Sequence, residues 1–110
     1  MAFDEGLAQR VRALLDPRSD VDERRMFGGI GFLIAGNMAC GVHGEDLIVR
    51  VERDESDELI ESEAGARKFD MTGRPMRGWM LVAPEATADD RDLERWVRRA
   101  EQFAASLPPK

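Results

Sequence analysis

The chain has little of what several kinds of protein require. Cysteine occurs once, at Cys40, so no disulfide can close within the chain, which fits a reducing compartment. Histidine also occurs once, at His43. Cys40 and His43 have a C-x-x-H spacing, but an odd separation on a strand sends two side chains to opposite faces. Zinc sites take three or four protein ligands, and no second Cys or His exists to supply them, so neither a metal nor a cofactor is expected. No apolar run approaches the roughly 20 residues that span a bilayer. Met1 to Glu5 lack the basic start and apolar stretch of a signal peptide. A cytoplasmic protein with no membrane association is expected.

Positive charge is scarce as well. Lys and Arg number 16 against 22 Asp and Glu, a formal net charge of -6. Binding nucleic acid without sequence preference needs Lys and Arg to neutralise phosphates, so direct nucleic-acid binding is disfavoured. An anionic membrane surface is disfavoured for the same reason. Lysine stands only at Lys68 and Lys110, beside abundant Arg, Ala, Asp and Glu, a composition typical of GC-rich bacterial coding.

What is present describes a folded domain. Over 110 residues, 43% are hydrophobic and 35% charged, which suits one domain around one core. The stretch Arg25 to Ile34 anchors the chain. It reads as a strand opened by the pair Gly28-Gly29. Ile30, Phe32 and Ile34 alternate onto one face, while Gly29 and Gly31 leave the other nearly bare. Alternating glycines in a strand signal a bulge, a bend or something packed close to the backbone.

Ahead of it, Phe3, Leu7, Val11, Leu14 and Leu15 recur at helical spacing until Pro17 stops the helix. Arg18 to Arg24 reads as a charged surface connection. After it, Ala35-Gly36-Asn37 and Gly44-Glu45-Asp46 are turn sequences, and the strands around them form an antiparallel meander. Met38, Cys40 and Val42 alternate with Ala39, Gly41 and His43. Leu47, Val49 and Val51 do the same with Ile48, Arg50 and Glu52. A short helix capped by Asp54 or Ser56 follows, burying Leu59, Ile60 and Ala64, with Gly65 as its stop. Lys68 to Asp70 reads as a short extended piece, Thr72 to Pro75 as a turn, and Met76 to Ala83 as a strand. That strand sets Trp79 and Leu81 against Met80 and Val82. A final helix, capped by Thr87 or Asp89, carries Leu93, Trp96, Val97, Ala100, Phe103, Ala104 and Leu107 in one stripe. The expected fold is α+β: a two-layer domain with an antiparallel sheet of about five strands, in the order α-β-β-β-α-β(-β)-α. Its first and last helices should cover one face.

Candidate chemistry is thin. His43 next to Gly44 lacks a readable partner or pocket and reads as a turn histidine. Cys40 belongs to an apolar set and reads as a buried thiol. The Gly28-Gly29-Ile30-Gly31 run precedes a strand, whereas phosphate cradles open a helix. The methionines are scattered over several elements and read as filler. Arg67, Lys68, Arg74 and Arg77 form a small basic cluster for an acidic partner or anion, balanced by Asp70 and the acidic second helix. Trp79 is the best interface anchor if it faces out of the sheet. The binding candidates are therefore Phe27, Gly28, Gly29, Arg74, Arg77 and Trp79, with no catalytic and no metal residues.

Met26-Phe27-Gly28-Gly29, followed by Phe32, Gly36 and Met38-Ala39, resembles the opening signature of the TfoX N-terminal domain family. Later landmarks agree in order and spacing: Leu47 to Val51, Phe69, Pro75-Met76-Arg77-Gly78-Trp79, then Leu93, Trp96 and Ala100. The resemblance runs from about Arg24 to Ala104. It implies an α+β sandwich with an antiparallel sheet. The family's namesakes, the TfoX or Sxy proteins, regulate natural competence in bacteria and act on gene expression with the cyclic-AMP receptor protein. Longer members carry a second domain, and this chain ends after the first. The resemblance supplies no catalytic residues. A non-enzymatic, regulatory or protein-interaction domain is expected, with a protein partner in the transcription machinery. An open sheet edge with Met and Trp nearby predicts a homodimer. The alternative is a small-molecule-binding or enzymatic domain using the glycine-lined face around Phe27 to Gly31.

Overall fold

The structure is a computed structural model that describes residues 3–26, 28–70, 73 and 76–110. Asp4 caps helix α1 (Glu5–Leu15) by accepting from the Leu7 amide at 3.1 Å, and Leu7, Ala8, Val11 and Leu15 form its buried stripe. Strands β1 (Val21–Met26), β2 (Gly29–Ile34), β3 (Asn37–His43) and β4 (Asp46–Arg50) follow as antiparallel hairpins. Then come α2 (Arg53–Ser62), β5 (Ala66–Lys68), β6 (Trp79–Val82), a 3-10 turn at Pro84–Ala86, and α3 (Asp90–Ala105). All six strands form one antiparallel sheet in the order β1-β2-β3-β4-β6-β5.

The α+β class and the general order are as expected, with one more strand. The connection expected over Arg18 to Arg24 is in large part β1. The anchoring stretch is a hairpin rather than one strand: Met26 pairs with Gly29, and Gly28 between them has φ 74°. β1 escapes the alternation rule because it is an edge strand. Asp22, Glu23, Arg24 and Arg25 are all exposed, and only one neighbour fixes the strand.

A second departure concerns β3. Phe32 pairs with Cys40 but Leu33 pairs with Met38, so Ala39 is an extra residue in a bulge. The bulge turns Met38 away from the face of Cys40 and Val42. Met38 packs instead with Ile48, Phe69 and Leu81, while Ala39 joins the larger core.

The larger core lies between the sheet and two helices. Phe32, Val42, Leu47 and Val49 meet Val11 and Leu15 of α1 and Leu93, Trp96 and Ala100 of α3. Full burial of each large apolar side chain contributes about 1.5–3 kcal/mol, so this face dominates stability. Among the described residues, no helix packs into the cluster on the opposite face. Met26, Met76 and Trp79 border its smaller cluster, and a Cβ at Gly31 would stand 2.9 Å from the sulfurs of both Met26 and Met38. The face that is bare in sequence is filled by methionine.

The second helix differs in detail, and the last is capped by one of its two expected residues. Glu52 precedes α2 with no side-chain cap, Ala64 is exposed, and the helix ends before Gly65, whose φ is 88°. Asp89 caps α3, accepting from Arg91 N at 2.8 Å and Asp92 N at 3.4 Å. Thr87 is buried instead, its hydroxyl donating to Pro84 O at 3.3 Å.

The β2–β3 turn is a two-residue loop with Ala35 at φ 50° and Gly36 at φ 86°. Both positive angles mark the type I′ geometry that matches strand twist. Alanine is a poor residue there. Asn37 donates to Pro108 O at 3.0 Å and Lys110 N donates to Ala35 O at 2.8 Å, which holds the turn in place. Left-handed backbone costs a residue with a Cβ roughly 1–2 kcal/mol, and asparagine relieves part of it. Ala35→Asn should raise unfolding free energy by about 0.5–1 kcal/mol in urea titrations. An unchanged or lower midpoint would refute this account of the turn.

Candidate functional site

The structure separates the candidate residues. Phe27 and Arg74 lie outside the described residues. Gly28 tips the β1–β2 hairpin, with nothing within 4 Å of where its Cβ would stand. A Cβ at Gly29 would run into the Val42 carbonyl oxygen. Arg77 and Trp79 sit at the start of β6, with β3 and β4 between β6 and β2. At about 4.8 Å per strand, that places them roughly 14 Å apart across the sheet. They also lie at opposite ends along it: Ile30 connects through Val42 and Leu47 to Val82, whereas Trp79 pairs with Arg50. The glycines and the tryptophan do not form one site.

A groove exists at the Trp79 end. It has a volume of about 370 Å³ and is lined by Ser56, Asp57, Ile60, Lys68, Met76, Arg77 and Trp79. Its walls are fixed by short polar contacts. The buried Ser56 hydroxyl donates to Arg53 O at 2.8 Å and accepts from Gly78 N at 2.8 Å. Val51 N donates to Gly78 O at 2.8 Å, and a Cβ at Gly78 would lie 3.0 Å from Val51 O. Gly78, at φ 89°, is thus pinned between α2 and the end of β4. Arg77 reaches back to α2, donating to Asp54 at 2.8 Å and Asp57 at 2.9 Å.

Trp79 is half-buried. Its ring centroid lies 5.7 Å from that of Phe69, and the Arg50 guanidinium sits 5.2 Å from it. Arg50 also lies 5.3 Å from the Phe103 ring and donates to Met38 O at 3.3 Å. Burial lowers its pKa from the ordinary arginine value. Sequence reasoning passed over Arg50. The available signal was parity: it shares a strand face with the buried Ile48, where a long cation needs rings or carbonyls to rest on.

Of the expected basic cluster, Arg74 lies outside the described residues and only Lys68 and Arg77 come together. Arg67 pairs with Asp46 at 2.5 Å, away from the groove wall that Lys68 and the α2-bound Arg77 both line. Such exposed pairs are worth about 0.2–1 kcal/mol each, so they shape the rim more than they stabilise the fold. The glycine-lined face offers less room. Its space at Gly31 is occupied by Met26 and Met38, and none of the described grooves is lined by Gly28, Gly29 or Gly31.

Cys40 is fully buried, and burial, with a smaller contribution from the charge of Glu101, pushes its thiol up to about 12. A thiol held protonated is no nucleophile. His43 is half-buried beside the β3–β4 turn, opposite Asp46. Among the described residues, no group of three or more His, Cys, Asp or Glu is placed to hold a metal ion. No helix of the described residues is long and apolar enough to cross a membrane.

A six-stranded antiparallel sheet, covered by two helices on one face and carrying a helix-walled groove at one end, defines a small α+β domain. The chain belongs to the TfoX N-terminal domain family, whose model matches residues 13–104. No curated protein and no solved structure matches it.

The Cys40 environment has a consequence for stability. In the unfolded chain the thiol ionises near its ordinary value of 9.0, whereas in the folded chain it does so only toward about 12. Stability is therefore intact below pH 9.0 and falls as pH rises through that window, by at most about 1.4 kcal/mol per pH unit. The chain has no tyrosine to blur the effect. Urea midpoints compared at about pH 8 and about pH 10 should drop for the native chain and stay nearly level for Cys40→Ala. Equal drops in both proteins would contradict it.

Proposed function

We propose that this protein is a non-enzymatic regulatory domain that works by binding another protein. The observation that carries this reading is the groove between α2 and β6. There Ile60, Met76 and the half-buried Trp79 offer an apolar surface within a rim of Asp57, Lys68 and Arg77. Tryptophan in a concave site is the commonest kind of interface hot spot, and methionine adapts to varied partners. The Trp79 ring is already immobilised by Phe69 and Arg50, so little side-chain freedom is lost on binding.

Membership in the TfoX N-terminal domain family supports a regulatory role, with a component of the bacterial transcription machinery as the partner. The net charge of -6 favours a protein over nucleic acid as the direct contact. The single buried cysteine suits a reducing, cytoplasmic setting. The crowded glycines of β2 and β3 weigh against the alternative, a small-molecule or enzymatic site on the glycine-lined face around Phe27 to Gly31.

Capture of partners from a bacterial lysate with tagged protein tests this reading. A stoichiometric transcription component should be recovered. Met76→Glu should weaken its binding by about 2 kcal/mol, roughly 30-fold in Kd, while circular dichroism shows the native fold retained. Reproducible turnover of a metabolite, abolished by changing one polar residue, would overturn the proposal.

A further inference from the structure

β1 is a six-residue edge strand, and among the described residues no strand lies beside its outer side. Its sequence, Val21-Asp22-Glu23-Arg24-Arg25-Met26, places two acids before two bases. We propose that two copies of this chain join through β1, antiparallel about a two-fold axis at Glu23, to form one continuous sheet. This interface goes beyond the groove and does not depend on it.

Backbone geometry limits how such edges can pair. Ala35 N donates to Asp20 O at 2.9 Å, so the even-numbered positions of this strand turn their peptide groups toward β2. Antiparallel bonding alternates, which turns Val21, Glu23 and Arg25 outward. A two-fold axis relating side-by-side antiparallel strands stands perpendicular to the sheet. Residues opposite each other then share a face, and the outward odd positions must bond to odd positions of the second copy. Two central registers meet these conditions with most of the strand paired.

Charge and pair spacing together choose between them. With the axis at Glu23, Asp22 stands opposite Arg24 of the second copy, twice over by symmetry. These are the closely spaced, non-hydrogen-bonded pairs, where cross-strand side chains interact best. Both residues are exposed on the face away from the helices. The two Glu23 carboxylates meet near the axis, but each is already clasped by its own Arg12, at 2.6 and 2.8 Å. With the axis one residue along, Glu23 would face Arg25 of the second copy, but at the hydrogen-bonded positions where side chains stand farther apart, while Arg24 would face Arg24 at the closely spaced position. Among the described residues Arg24 has no ion pair to offset that repulsion.

Charged edge strands ordinarily discourage pairing with foreign strands. Here the pattern repels most sequences and is answered by its own copy running backwards. A groove of about 320 Å³, lined in part by Glu5, Gln9 and Arg12 of α1 and by Arg24 and Arg25, lies alongside the same edge. It gives the second copy side-chain contacts beyond the backbone bonds.

Sedimentation equilibrium of the full chain tests this. The native protein should show a concentration-dependent dimer. Asp22→Arg and Arg24→Asp should each raise the dissociation constant by about tenfold or more, since each turns two attractions into repulsions. The combined variant exchanges the two charges and should return to within about threefold of the native value, as coupled pairs do. Both positions are exposed, so circular dichroism should stay native. A monomer mass throughout the micromolar range would overturn the proposal, as would a dimer that neither single change weakens. Failure of the combined variant to restore association would overturn the register and with it the interface.

Discussion

Keeping water off the second face of the sheet is the constraint on which much of this structure turns. A six-stranded sheet must bury or polarise both faces, and α1 and α3 cover only one. On the other, Gly31 and Gly41 remove side chains so that Met38 can lie across the strands, joined by Met26. Phe69 then closes the patch over Ile48 and Leu81. Phe69 belongs to the long excursion between β5 and β6, and Arg77 and the Ser56–Gly78 contact tie that excursion to α2. The groove at Trp79 is thus a by-product of sealing the sheet. Without an apolar plug to bring over, the chain would have no reason to build that wall.

Much of this was legible in the residues. The helices declared themselves through spacing: Leu93, Trp96, Val97 and Ala100 are all buried, as their stripe required. The β3 and β4 cores followed from alternation. β1 was hidden because an exposed edge strand with four consecutive charges has no apolar face to reveal it. The hairpin at Gly28 was hidden with it, since recognising a turn requires a strand on each side. The bulge at Ala39 moved Met38 to the other face, and one inserted residue leaves no mark on composition or spacing. At the site, the Met-Phe-Gly-Gly opening drew attention to the end of the sheet away from the groove. The glycines there serve backbone approach, while Arg50, which steadies Trp79, looked like any charged strand residue.

Two surfaces then divide the molecule between them. The groove at β6 offers apolar side chains held in place by packing. The edge at β1 offers backbone groups screened by charge. They stand at opposite margins of the sheet, four strands apart in its order, so occupying one leaves the other accessible. A domain arranged this way can be held by its own copy and still present a groove on each side.

The seal over the second face is made largely of thioethers. Oxidation turns a methionine sulfur into a sulfoxide, a polar and chiral group that an apolar contact cannot accommodate. Met26 and Met76 are only partly buried, and Met26 rests over Gly31 with no side chain beneath it to bear a substitute. The helix-covered core holds no such exposed sulfur: Met80 and Cys40 are fully enclosed there. Oxidative damage to this protein would therefore begin on one side of the sheet, loosening the Met26–Met38 cover and the groove wall at Met76 while the packing beneath α1 and α3 stayed intact.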